Sequence, residues 1–227
     1  MMYIQEFTSI GNRKENQDYI AYQMVDDESG IFVVADGMGG YDFGDIAARL
    51  VAESIVESVT SNWDNLNEKE LLSEAFNFAN ESLALKRLAL ECKKMGTCVC
   101  VLLIRNNNAY ISWFGDSRVY QYEQEIESFV TDDHSVVKEL SRINTLKATD
   151  IDKYSNVVTR SIMGSISLDP MEFVVRPIHQ GDHFLLCSDG LYKSIPIPLR
   201  WDNDLVVKLN SRNNTFNDNA TCLFVSI

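Results

Sequence analysis

The chain has 227 residues, enough to enclose one sizeable hydrophobic core. Hydrophobic residues make up 45% and charged residues 23%, a balance that fits a soluble globular protein. The formal net charge of -13 is spread along the chain without a long block of like charge, which argues against nucleic-acid binding, since that needs a basic patch to displace phosphate counterions. No apolar run approaches the roughly 18 residues of a spanning helix, so membrane insertion is not expected. The first residues also lack the basic-then-apolar pattern of a secretory leader. The five cysteines are Cys92, Cys98, Cys100, Cys187 and Cys222, most of them inside apolar runs. An odd number so placed reads as reduced and buried, with a cytoplasmic location expected. Cys98 and Cys100 alternate onto one strand face without a CxxC partner, which favours a core role over a metal role.

Three strand-like segments open the chain, at residues 3–8, 19–25 and 31–35, rich in aromatic and β-branched residues. A polar turn at 26–30 separates the second from the third. Two helices are expected next. In 45–59, Ala47, Val51, Ile55 and Val59 recur every four residues; in 68–91, Leu72, Ala75, Phe76, Ala79 and Leu83 likewise fall on one helical face. Asn67 followed by Glu70 has the form of a capping box at the second start. Further strands are expected at 97–104, 109–114 and 119–122. A short helix follows at 134–143, and then a polar stretch, 144–156, with no clear period. Strands return at 171–178, 182–187 and 220–227, with a short helix at 202–209. Helix pairs set between hairpin-spaced strands favour antiparallel sheets in a single domain spanning 1–227.

Four aspartates stand at the ends of apolar runs: Asp36 and Asp189, each followed by glycine, then Asp116 and Asp218. A carboxylate at the point where a buried strand enters a turn is held rigidly at the edge of its sheet. Several such groups brought together make an oxygen-rich site for a hard divalent cation, Mg²⁺ or Mn²⁺, and such a site suits phosphate chemistry. Any one Asp-Gly is equally an ordinary turn. The three histidines, His134, His179 and His183, lack zinc-motif spacing and offer no rival site. The glycines of Asp36-Gly37-Met38-Gly39-Gly40 allow close backbone approach, so that a carbonyl can join the carboxylate as ligand.

Six motifs occur in one order: Arg13-x-x-Asn16-Gln17-Asp18; Asp36-Gly37-Met38-Gly39-Gly40 with Gly44; Gly96-Thr97; Gly115-Asp116-Ser117-Arg118; Cys187-Ser188-Asp189-Gly190-Leu191; and Asp218-Asn219-x-Thr221. This order resembles the metal-dependent protein serine/threonine phosphatases of type 2C (the PPM family), especially the compact bacterial members. The resemblance runs from Arg13 to Thr221. It implies an α+β fold, a four-layer α-β-β-α sandwich of two antiparallel sheets flanked by helices. It also implies two Mn²⁺ or Mg²⁺ ions in a cleft at one end. Asp36 would bridge both ions, the Gly37 carbonyl would bind one, and Asp189 and Asp218 would hold the other. Asp116 with Asp189 would offer a weaker third position. Asp18 would act through metal-bound water and Arg13 would hold the substrate phosphate. A water shared by the ions would attack phosphorus directly, so neither Ser117 nor Ser188 is a nucleophile.

By the same resemblance the substrates are phosphoproteins, opposed by a Ser/Thr kinase, and residues 134–164 form a flap beside the site. Gln17 stands where many members carry Glu. Met38 stands at the position of a eukaryotic histidine, and Tyr41 at that of a common bacterial one. The stretch 191–217 is short for the family. These departures keep open a catalytically weak pseudophosphatase that binds phosphoproteins. An unrelated two-metal hydrolase of small phosphate esters is the third reading.

Overall fold

The computed structural model describes residues 2–38, 43–197, 205–212 and 215–227. In chain order the elements are β1 (Tyr3–Ser9), β2 (Asp18–Met24), β3 (Gly30–Gly37), α1 (Gly44–Ser61), α2 (Glu68–Ala89), β4 (Thr97–Arg105), β5 (Asn108–Phe114), β6 (Arg118–Glu123) and β7 (Ile126–Val130). They continue with α3 (Val136–Arg142), α4 (Ala148–Tyr154), β8 (Val174–Pro177), β9 (His183–Cys187), α5 (Asp189–Ser194), α6 (Leu205–Ser211) and β10 (Ala220–Ser226). The strands form two five-stranded sheets, ordered β1-β10-β9-β6-β7 and β2-β3-β4-β5-β8. Every pairing is antiparallel. This is the expected α+β, four-layer α-β-β-α arrangement of two antiparallel sheets.

The layers follow from side-chain alternation. In β3, Ile31, Val33 and Ala35 face α1 and α2, where they meet Val51, Ile55, Leu72 and Phe76. Phe32 and Val34 point the other way and pack with Cys100, Leu102, Phe184, Leu186 and Val225 between the sheets. β9 and β10 turn Leu185, Cys187, Cys222 and Phe224 outward onto Leu191, Leu205 and Phe216, closing the fourth layer. Strands covered on both faces need apolar residues at every position, which is why β3 and β4 read as unbroken hydrophobic runs. All five cysteines are free thiols, and all but Cys92 are buried.

α1 buries the expected stripe of Ala47, Val51, Ile55 and Val59. α2 begins with the capping box: Asn67 accepts from the Glu70 N–H, and Glu70 accepts from the Asn67 N–H. Three elements have no counterpart among the expected segments. β7 and α4 bury no side chain, so neither carries an apolar stripe, and α5 is a six-residue turn set directly on the Asp189-Gly190 motif. The strand expected at 171–178 shortens to β8, and His179 lies beyond it in a loop with its side chain exposed. The helix expected at 202–209 appears from Leu205 onward as α6, its earlier part lying outside the described residues, as do Gly39, Gly40 and Tyr41.

The two sheets present their site-bearing ends together. Antiparallel pairing puts the start of β2, the end of β3, the start of β4 and the end of β5 at one end of one sheet. In the other sheet, the end of β1, the start of β10, the end of β9 and the start of β6 coincide. The link Gly115–Ser117 passes from β5 to β6, and so from one sheet to the other, at this same end. Replacing Asn67 with Ala removes the N-cap of α2 and is expected to lower stability by about 1 kcal/mol in chemical denaturation, with no change at the far end of the sheets.

Candidate active site

The end where the sheets meet carries a cleft of about 800 Å³, lined by Arg13, Asp36, Gly37, Asp116, Asp189 and Asp218 among others. Six of the seven site residues expected from sequence therefore share one cavity. The seventh, Asp18, lies just beneath it. Asp18 and Asp36 are register partners on β2 and β3, so their carboxylates start from directly opposed backbone positions. Two like charges so placed repel unless something positive lies between them or one of them is protonated.

The second sheet delivers the other carboxylates. β9 ends at Cys187, and its pairing with β10 places the turn at Asp189 beside the approach to β10 at Asp218. Ser188 locks the corner. Its N–H donates to the Thr221 carbonyl at 3.0 Å, and its Oγ accepts from the Thr221 N–H at 3.0 Å. The same Oγ donates to Asp18 Oδ2 at 2.7 Å, across to the other sheet. Asp18 Oδ1 is buried and has no hydrogen-bond partner. An orphaned carboxylate oxygen beneath a cleft of carboxylates is what a hard-cation site leaves without its ion and water.

Electrostatics agrees. Burial, then the charges of Asp18, Asp189 and Asp116, hold Asp36 well above the usual carboxylate range, and its carboxyl lies within hydrogen-bonding reach of Asp189. Burial likewise pushes Asp18 up to about 7, with the Ser188 hydrogen bond working in the opposite direction. Asp116 is raised to about 6 by burial and the nearby Asp189 charge. Two basic groups partly offset this. Arg13 Nη2 pairs with Asp218 Oδ2 at 2.5 Å, and Lys193 Nζ pairs with Asp189 Oδ2 at 2.6 Å. Among the described residues no three His, Cys, Asp or Glu side chains are drawn together tightly enough to enclose an ion. Two of the expected ligands are instead engaged by these cationic side chains.

Several supporting residues carry roles that spacing alone did not assign. Asn219 is the hub: its Oδ1 accepts from the Gln17 N–H at 3.0 Å, and its Nδ2 donates to the carbonyls of Ile10 and Glu15, both at 2.9 Å. The loop bearing Arg13 is thereby tied to Asp218. Thr97 Oγ1 donates to the Asp36 carbonyl at 2.7 Å, fixing the backbone at that position. Gly37 is required by crowding, because a Cβ there would lie 2.3 Å from the Gly44 carbonyl oxygen. Gly115 combines a φ of 104° with a Cβ position 2.3 Å from Cys98 Sγ, so no side chain is tolerated at that position. The Gly115 N–H donates to His134 Nδ1 at 3.2 Å, and His134 stacks on Trp113. Asn219, Ser188 and Thr97 stood inside quoted motifs, but only the fold reveals what they bond.

The fold and the site together are those of a two-sheet sandwich with an acidic cleft at the junction of its sheets. Residues 8–219 match the family model described as protein phosphatase 2C, and the chain belongs to that family. Protein phosphatase PhpP of Streptococcus pneumoniae is 30% identical, over 86% of this chain and 80% of its own length. The S. agalactiae serine/threonine phosphatase structure superposes with a TM-score of 0.81 at 26% identity, covering 100% of both chains. The catalytic domain of PstP in complex with two manganese ions shares the fold at a TM-score of 0.79 and 20% identity, covering 99% of this chain and 97% of its own.

Buried like charge gives a specific expectation. With a chelator at pH 7.5, Asp36→Asn should melt higher than the unaltered protein by several degrees, because about 1–2 kcal/mol of repulsion is removed. With millimolar Mn²⁺ the order should reverse, since ion binding stabilises only the protein that keeps its ligand. Calorimetry under the two conditions checks the crossing. Replacing Asn219 with Ala deprives the two carbonyls and the Gln17 N–H of their partner and should cost about 2–3 kcal/mol in urea unfolding.

Proposed function

We propose that the chain is a phosphoserine/phosphothreonine protein phosphatase working with two Mn²⁺ or Mg²⁺ ions, within a single domain spanning 1–227. The observation that carries this reading is the convergence of Asp18, Asp36, Asp116, Asp189 and Asp218, from both sheets, beneath a cleft whose rim bears Arg13. Asp36, the Gly37 carbonyl, Asp189 and Asp218 are the groups that would hold the ions. When bound, such a pair of cations supplies an acidified water for in-line attack on phosphorus and positive charge for the phosphoryl oxygens.

The chain's own residues do the rest. Arg13 has a half-exposed side chain, 49% accessible, so its guanidinium can turn from Asp218 to fork onto a phosphate. Asp18, anchored by Ser188, keeps a carboxylate oxygen aimed beneath the cleft, where it can accept a proton from an ordered water. Asn219 fixes the loop of Arg13 relative to Asp218, so both groups approach a phosphate from a set direction. The open, polar cleft fits a phosphorylated side chain on a protein surface better than a small ester that must be enclosed. A phosphoprotein substrate implies a Ser/Thr kinase that makes it.

The test is turnover. Purified protein should hydrolyse a phosphothreonine peptide with Mn²⁺ and stop on chelation. Asp36→Asn and Asp189→Asn should each lower kcat by about a hundred-fold or more. Arg13→Ala should raise KM by about ten-fold with a smaller change in kcat. Mn²⁺ binding with no turnover on any phosphopeptide would favour the phosphoprotein-binding pseudophosphatase. Preference for nucleotides or sugar phosphates would favour a small-ester hydrolase.

A further inference from the structure

Lys193, on α5, lies outside the residues given a role above, yet its ammonium is surrounded by oxygen from three separate segments. Asp189 Oδ2 lies at 2.6 Å and Asp116 Oδ2 at 3.7 Å. From the 134–164 segment, the Ser155 carbonyl and Asn156 Oδ1 both accept from it at 3.2 Å. Two carboxylates, a carbonyl and an amide oxygen form the kind of ligand set that a hard cation takes. The side chain keeps only 36% exposure.

The 134–164 segment is secured at its ends. The His134 N–H donates to the Gly115 carbonyl, and Thr97 and Ile162 exchange a pair of backbone hydrogen bonds. Between those ends, α3 and α4 bury no residue. Apolar packing therefore does little to hold the middle of the segment against the cleft, although Asn156 and Val158 line it. Lys193 reaches it by charge-assisted hydrogen bonds instead.

We propose that Lys193 is a positioning residue: its ammonium takes the place of a third cation between Asp116 and Asp189 and fastens the 134–164 segment over the cleft. The inference rests on the metal-dependent reading of the same site. It implies that the chain takes two divalent ions where a carboxylate pair left open would take three. It also implies that the segment stays in place without an added ion.

The experiment counts Mn²⁺ ions by loss of the free-ion EPR signal in Lys193→Met, with Lys193→Gln as a second variant should the first fold poorly. Hydrogen exchange of the segment's amides is followed in the same proteins. The unaltered chain should bind two ions and either variant a third, weaker one. Amides around Ser155 and Asn156 should exchange about ten-fold faster in the variants, as expected for a lost charge-assisted contact. A count of two in both variant and unaltered protein, three ions in the unaltered protein, or unchanged exchange would each overturn the proposal while leaving the two-metal reading intact. Failure of the unaltered protein to bind Mn²⁺ at all would overturn that reading and this one together.

Discussion

Opposed carboxylates at the junction of two sheets are the constraint on which the rest of the molecule turns. Asp18 and Asp36 face each other across β2 and β3, and Asp116 and Asp189 add their charge from the linking turn and the second sheet. Burial makes the charges of Asp18, Asp36 and Asp116 expensive, and proximity to other carboxylates makes them more so. The surrounding structure gives none of them room to move away. Asp36 is fixed through its backbone by Thr97, Asp18 through its side chain by Ser188, and Asp116 by a link that admits only glycine at position 115. Strain held this firmly at one end of a well-packed sandwich is the signature of a site built for a ligand of opposite charge.

The two basic neighbours differ in how firmly they compensate. Arg13 is half exposed, and an exposed ion pair with Asp218 contributes only about 0–1 kcal/mol, which an incoming phosphate can readily outbid. Lys193 is less accessible and bonds oxygens on both α5 and the 134–164 segment, so releasing it means breaking several contacts together. In the proposed reaction Arg13 would change partners, whereas Lys193 would stay in place. The same distinction separates a group that handles substrate from a group that shapes the site.

Much of this was legible in the sequence for a definite physical reason. Strands buried on both faces, such as β3 and β4, must be apolar throughout, and helices packed on a sheet, such as α1 and α2, must carry a stripe at four-residue spacing. The aspartates that line the cleft were legible because the ends of such strands are abrupt. What escaped was structure stabilised by backbone and polar contacts. β7 and α4 bury nothing and so leave no periodic trace, while the hub role of Asn219 consists of bonds to residues some 200 positions away in the chain. Lys193 escaped for a similar reason. A single lysine after an Asp-Gly-Leu turn reads as a solvated surface charge until the fold brings Asp116 and Asn156 to it.

The division between core and surface also runs through the site itself. The carboxylates that would hold the ions sit at the ends of strands whose side chains form the inter-sheet core, so shifting any one of them by an ångström would disturb packing on both sheets. Asn156 and Val158, which also line the cleft, belong to a segment whose helices α3 and α4 bury no residue. The carboxylates are therefore held by the packed core, whereas the 134–164 segment is held to the cleft mainly by polar contacts. Lys193 is where the two meet: it binds Asp189 and Asp116 on one side and Ser155 and Asn156 of the segment on the other, so a change at this one position would be felt by both.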